Sequence, residues 1–278
     1  MIEGPWSAAA DPSRRIGRAI EFHAELGSTN DRARAALREP NGDGLAVVAD
    51  LQTAGRGRRG RAWVSPAGRN LMVSVGLRPR GLDSAAAGLV GIATALAVRD
   101  ACAEMTAGHD LRVKWPNDVV TADGHKVAGL LVETALEEER LAEVVIGVGI
   151  NVNWRRAEMP AGVRERATSL ADIAGSEIDR VALLGILLTA LDREIAALER
   201  GESPLSRLAA HSALDGRRVT IDLGTEQLDG LVAGTSDGGL LLLDTHAGRV
   251  ALATGEVVAV RELAATAGAD PMTARAER

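Results

Sequence analysis

Apolar and polar positions along this chain follow two textures. Over the first two thirds, short β-branched runs at 45–49, 71–77, 130–134 and 144–149 are bordered by turn residues and read as strands. Between them, apolar residues recur at helical spacing over 31–37, 85–103 and 180–199, the last with Asp179 placed to cap its first turn. Interleaved strands and helices predict an α/β (α+β) domain on a mixed central sheet. From Arg217 the texture changes. Five short apolar runs, at 217–223, 228–234, 240–243, 249–252 and 257–260, are separated by Gly-Thr, Asp-Gly-Gly, Ala-Gly and Thr-Gly. Runs of that spacing predict a small β-barrel of about 50 residues. The expected organisation is an α/β unit over 15–212 and a barrel over 213–262, between structureless ends at 1–14 and 263–278.

Composition narrows the picture. One Phe, four Trp and no Tyr leave the core to Leu, Val, Ile and Ala. Trp63, Trp115 and Trp154 lie in Gly-, Asn- or charge-rich segments, where filling a core explains them poorly. A net charge of −6 argues against nucleic acid or an anionic membrane as partner, so any anion site must be local. Cys102 is the only cysteine, which excludes an internal disulfide and fits a reducing compartment. No signal peptide opens the chain, and the apolar window at 181–191 is cut short by Asp192. The expectation is a soluble cytoplasmic protein.

The basic residues are 30 arginines and two lysines, and both lysines fall within 114–126. A lysine among so many arginines suggests a need for a compact, rotatable ammonium, although codon bias could leave the same pair. Lys114 opens Lys-Trp-Pro-Asn-Asp, and Lys126 opens Lys-Val-Ala-Gly after a turn at 122–125. Pro116 favours an extended Trp115, so 114–129 reads as a strand end and a returning hairpin.

Gly55-Arg56-Gly57-Arg58-Arg59-Gly60-Arg61 sets four guanidinium groups on an adaptable backbone. Its glycines satisfy G-x-G-x-x-G, but a dinucleotide fingerprint needs a helix to start there, and a Trp-Val-Ser-Pro segment and a strand follow instead. No P-loop exists in the chain. A nucleic-acid loop, a solvated turn and a clamp around a phosphorylated ligand remain open. Ser28-Thr29-Asn30 before a helix is either a simple N-cap or a polar ligand site. Gly147-Val148-Gly149-Ile150-Asn151 is either a bulge or a close backbone approach.

Taken in order, Gly-Ser-Thr-Asn at 27–30, Gln52 through Trp63, Lys-Trp-Pro-Asn-Asp at 114–118, Lys-Val-Ala-Gly-Leu-Leu-Val-Glu at 126–133 and Gly-Val-Gly-Ile-Asn at 147–151 resemble the biotin protein ligase family. The resemblance spans most of 25–262 and is nearest the monofunctional bacterial form. Only 26 residues precede Gly27, too few for the winged-helix repressor domain of larger relatives. It implies a class II aminoacyl-tRNA-synthetase-like catalytic domain with an SH3-like C-terminal barrel. It also implies an enzyme that activates biotin with Mg-ATP to biotinyl-5′-AMP and acylates a lysine of a biotin carboxyl carrier domain, acting as monomer or homodimer.

By the same resemblance, Lys126, Arg58 and Asp118 carry the catalysis. Lys126 bridges the biotin carboxylate and the α-phosphate, and Asp118 is the general-base candidate. Ser28, Thr29, Asn30, Gln52, Gly55, Arg56, Gly57, Arg58, Lys126 and Gly129 bind biotin. Arg58, Arg61, Trp63, Lys114, Asn117, Asp118, Lys126 and Asn151 face ATP or the adenylate, with Arg61 toward pyrophosphate. A glycine-rich loop that folds over the product would shield a mixed anhydride from water. Lipoate-transferring enzymes are similar in architecture but lack this Gly/Arg loop. A biotin acceptor is excluded, since neither lysine follows a methionine.

Overall fold

In the computed structural model, which describes residues 5–261, the chain opens with β1 (Ile20–Leu26), α1 (Thr29–Ala36), β2 (Ala46–Gln52) and β3 (Leu71–Leu77). Next come α2 (Ala87–Met105), β4 (Leu111–Lys114), β5 (Asp118–Thr121), β6 (Lys126–Glu137) and β7 (Arg140–Ile150). Helices α3 (Ala161–Arg164), α4 (Leu170–Ala174), α5 (Arg180–Glu199) and α6 (Leu205–His211) follow. The remainder is β8 (Arg218–Asp222), β9 (Gln227–Thr235), β10 (Leu241–Thr245), β11 (Gly248–Leu252) and β12 (Glu256–Arg261).

Strands β1 to β7 form one sheet in the order β1-β2-β3-β7-β6-β5-β4. Only β1 and β2 run parallel, so the sheet is mixed, as the interleaved pattern predicts. All seven residues of β3 are buried because helices cover both faces of the sheet centre. On one face α1 sets Ala33 and Leu37 against Val47 and Val145. On the other, α2 packs on the sheet and against α5 through Leu96, Ala97, Leu184, Leu187 and Leu191. Asp179 caps α5 as expected, accepting from the Val181 and Ala182 amides.

Helix α2 is apolar nearly all round. The segment Ser84–Met105 reaches a mean hydropathy of 1.5 and is long and apolar enough to cross a membrane, yet most of it is buried in the core. Cys102 is fully buried on it, and burial pushes its thiol up to about 12, leaving the sulfur unreactive at neutral pH.

Three expectations change. Residues 5–14 are ordered where a structureless lead-in was expected: Pro5–Ala9 forms a 3-10 turn and Trp6 is 4% exposed. Its ring stacks on Phe22 with centroids 5.9 Å apart, and the Arg180 guanidinium lies 5.1 Å from it. A single aromatic in a small-residue stretch is enough to pin the segment. Second, Trp154 is buried, in a satellite cluster with Met159 and Ala167. Third, β8 to β12 form a five-stranded antiparallel sheet, β11-β10-β9-β8-β12, in which no pairing of β11 with β12 closes a barrel. The expected tail at 263–278 lies outside the described residues.

Where the two sheets meet, backbone lies on backbone. A Cβ at Gly88, at the start of α2, would sit 2.5 Å from the Gly238 carbonyl oxygen, and one at Gly239 would sit 2.8 Å from the Gly88 carbonyl carbon. The turn between β9 and β10 thereby seats against the first turn of α2.

Candidate active site

The floor of the site is bare backbone. Gly129 of β6 pairs with Gly149 of β7, and Gly147 follows on the same face. None of the three has a positive φ, so close approach is what requires glycine. A Cβ at Gly147 would fall 2.1 Å from Asn30 Oδ1, at Gly149 2.6 Å from the Trp63 ring and at Gly129 2.7 Å from Lys126 Nζ. Above this floor is a cavity of about 650 Å³, walled by the start of α1, the 55–61 loop, the 114–126 hairpin and the first residues of β12.

One end of the cavity is polar and neutral. Ser28, Thr29 and Asn30 are 6%, 4% and 5% exposed, so they lie within the fold. Ser28 occupies the N-cap position of α1 in extended conformation, yet its side chain caps nothing and instead lines the cavity. The Thr29 amide donates to Gln52 Oε1 at 2.8 Å. Ser74, fully buried on β3, lies 2.7 Å from Thr29 Oγ1 and 2.6 Å from Asn30 Oδ1. Asn30 Nδ2 donates to Glu133 at 2.7 Å, and Glu133 is in turn 3.1 Å from Arg34.

The other end is cationic, and most of its cations hold protein anions. Lys126 Nζ is 2.7 Å from Asp118 Oδ1, an ion pair without hydrogen-bond alignment, and 5.6 Å from the centre of the Trp63 ring. Arg56 grips Asp31 through two bonds of 2.7 and 2.6 Å, which hold the Asp31 carboxyl below the usual carboxylate range. Arg61 reaches Glu256 at 2.5 Å, and Arg59 donates to the Asp222 carbonyl at 3.0 Å. Arg58 differs. Its one described partner is the Thr254 hydroxyl at 2.9 Å, and desolvation, reinforced by Arg59, lowers its pKa. A half-buried guanidinium without a carboxylate is an electrostatic demand for an anion. These contacts rest the loop against the second sheet. Arg59 supports its turn at φ 56°, next to Gly60 at φ 71°.

Of the residues singled out from sequence, Ser28, Thr29, Asn30, Gln52, Arg56, Gly57, Arg58, Arg61, Trp63, Lys114, Asn117, Asp118, Lys126 and Gly129 all line this cavity. Gly55 and Asn151 do not. Gly55 lies behind the loop, where a Cβ would meet the Trp63 carbonyl at 2.8 Å. Asn151 is 6% exposed, its backbone amide bonded to Val127 and its side-chain amide aimed at the Lys126 carbonyl at 3.4 Å. It braces the strand that presents Lys126. Asn117 likewise bonds Leu130 through its amide, at 2.8 Å, as well as facing the cavity. Sequence reasoning missed Ser74, His125, Arg166 and the 255–258 segment, and it singled out Trp115 without giving it a ligand. Only the Thr-Gly before β12 offered a signal, and it reads as a turn. Among the described residues no three His, Cys, Asp or Glu side chains gather as metal ligands.

Residues 26–151, which include nearly all the cavity-lining positions, match the Biotin/lipoate A/B protein ligase family. The chain is similar to a biotin–[acetyl-CoA-carboxylase] ligase of Mycobacterium tuberculosis, 35% identical over 88% of this chain and 90% of the relative. A Paracoccus denitrificans protein of the same name is 37% identical over 84% and 98%. Among solved structures, the biotin protein ligase of Aquifex aeolicus in complex with biotin and ATP superposes with a TM-score of 0.72. It is 31% identical, and the match covers 88% of this chain and all of that one (100%). With relatives matched over nearly their whole length and the motif residues gathered around one cavity, this chain belongs to the biotin protein ligase family.

Proposed function

We propose that this cavity joins the carboxylate of biotin to the α-phosphate of ATP and passes the biotinyl group to one lysine of a biotin carboxyl carrier domain, as in acetyl-CoA carboxylase. The observation that carries this reading is the split polarity of the site. A neutral hydrogen-bonding end fits a cyclic urea, and a cationic end fits a carboxylate and a triphosphate. The Aquifex relative, solved with biotin and ATP, supports the same pair of ligands.

In the first step a carboxylate oxygen bonds to the α-phosphorus while the bond to the β-phosphate breaks and pyrophosphate leaves. Two unit anions brought to about 4 Å repel by roughly 4 kcal/mol at an effective dielectric of 20, so fixed cations are the natural catalysts. Lys126 stands at the junction, with Arg58 and Arg61 on the phosphate side. Mg²⁺ accompanies ATP on its phosphates. As the biotin carboxylate takes the Lys126 ammonium, Asp118 is released from its ion pair. It is then placed to accept the proton of the carrier lysine, whose amine attacks the acyl carbon and expels AMP.

The second sheet, on this reading an SH3-like module over 213–262 beside a catalytic unit over 15–212, supplies Glu256 and Thr254 to the wall and supports the arginine loop. A cytoplasmic setting and action as monomer or homodimer accord with it. The test is biotin-dependent exchange of pyrophosphate into ATP, followed by one biotinyl mass increment on a carrier domain. Exchange driven by lipoate and not by biotin would overturn the assignment.

A further inference from the structure

The geometry points to Ser74, which lies outside every motif, and Glu133, which ends the 126–133 motif with no role assigned to it, as positioning residues that set the hydrogen-bond polarity of the neutral end and so select a ligand bearing N–H donors. The inference rests on the proposed biotin chemistry and deepens it.

The argument is a count of protons. Asn30 Nδ2 donates to the Glu133 carboxylate at 2.7 Å and faces the Leu131 carbonyl at 3.4 Å, and neither oxygen can donate in return. Arg34 pairs with the same Glu133 oxygen at 3.1 Å. The amide of Asn30 therefore has one orientation, with Oδ1 toward Ser74. Ser74 Oγ, 2.6 Å away, must give its only proton to that oxygen, since otherwise two acceptors would face each other inside the core. The Thr29 hydroxyl has two acceptors within reach, Ser74 Oγ at 2.7 Å and Gln52 Oε1 at 3.1 Å; with the Ser74 proton on Asn30, the shorter contact takes the Thr29 proton and Ser74 Oγ accepts it.

With its proton committed to Ser74, Thr29 Oγ1 offers only lone pairs. Gln52 Oε1, 3.1 Å from it, is fixed as an acceptor by the Thr29 amide at 2.8 Å. Two acceptors converge on one place in the cavity wall, and a donor placed between them relieves both. A cyclic urea supplies such an N–H. A dithiolane supplies none, so the same polarity that favours biotin disfavours lipoate. The close approach at Gly147, where a Cβ would fall 2.1 Å from Asn30 Oδ1, keeps the relay from being pushed aside.

The test is steady-state pyrophosphate exchange with Ser74→Ala. Without Ser74, the Thr29 hydroxyl is free to turn its proton to Gln52, and the acceptor pair closes on itself. The KM for biotin is expected to rise about tenfold, roughly 1.4 kcal/mol. Desthiobiotin, which keeps the urea and lacks the thioether ring, should lose by the same factor, while the KM for ATP and kcat stay within twofold. Glu133→Leu, at a half-buried position, releases the Asn30 amide and should raise the biotin KM several-fold in the same selective way. It is read alone if Ser74→Ala fails to fold. Unchanged biotin KM in both variants, or equal rises for biotin and ATP, would overturn the inference. A wild-type protein without biotin-dependent exchange would overturn the proposed function instead.

Discussion

The two ends of the cavity are built on opposite principles. At the neutral end a chain of buried and half-buried polar groups is linked by protein partners before any ligand arrives, from Gln52 through Thr29 and Ser74 to Asn30 and Glu133. At the cationic end the charges sit nearer solvent and are held by carboxylates that the ligand's own anions can replace: Asp118 on Lys126, Glu256 on Arg61, Asp31 on Arg56. The first arrangement gives specificity through rigidity, because a mismatched ligand leaves buried groups unsatisfied. The second keeps a dense group of cations stable in the empty protein, at exposed pairs worth only about 0–1 kcal/mol each and so readily exchanged.

Breaking the cationic end should have the largest effect. Lys126→Ala is expected to lower biotin-dependent exchange by about a hundredfold or more, the scale of losing one preorganised charge at a transition state. Lys126→Arg, which keeps the charge but not the compact ammonium, should still lose more than about tenfold. Wild-type rates in the arginine variant would remove the case for a rotatable point charge.

Breaking the neutral end should act on binding. Gly147→Ala forces a methyl onto Asn30 Oδ1 and should cost about 1–3 kcal/mol of stability, read by denaturant unfolding. The biotin KM should rise with it. The comparison sharpens when ligands are added to the intact protein. Biotin plus Mg-ATP should protect the bonds after Arg56, Arg58, Arg59 and Arg61 from trypsin, and biotin alone should protect them less. Equal cleavage in all states would exclude loop closure over the intermediate. The smallest expected effect is that of Glu256→Gln, which removes the loop's carboxylate anchor on the second sheet. Cleavage of the empty protein should quicken by up to about fivefold, the equivalent of one exposed ion pair, with no change in the fully liganded state.

Much of this was legible in the chain. β3, with every residue buried, reads as an apolar run interrupted only by Ser74 and Gly76, and α5 announces itself by Asp179 and its periodicity. The cavity-lining motifs were visible because each is contiguous, so a backbone turn and its side chains appear together. β1 was hidden. Its Glu21, His23 and Glu25 alternate with apolar residues on a half-exposed edge strand, and Glu21 is there to hold Arg32 at 2.6 Å. Ser74 was hidden for another reason, and so was the role of Glu133 at the end of its motif: they lie 44 and 103 positions from Asn30, and only the sheet brings them to it. Asn151 shows what a motif alone leaves out: besides any part it takes at the nucleotide, it braces the strand behind Lys126.

The seat of the β9–β10 turn on α2 has its own consequence. Gly88 meets Gly238 and Gly239 with no side chain between, at separations that even a methyl group would violate. Such a joint leaves no room for a side chain on either partner, so the spacing between the second sheet and α2 is set by main chain alone. An alanine at Gly88 or Gly239 would wedge the two apart, and the displacement would reach the wall of the site that Glu256 supplies.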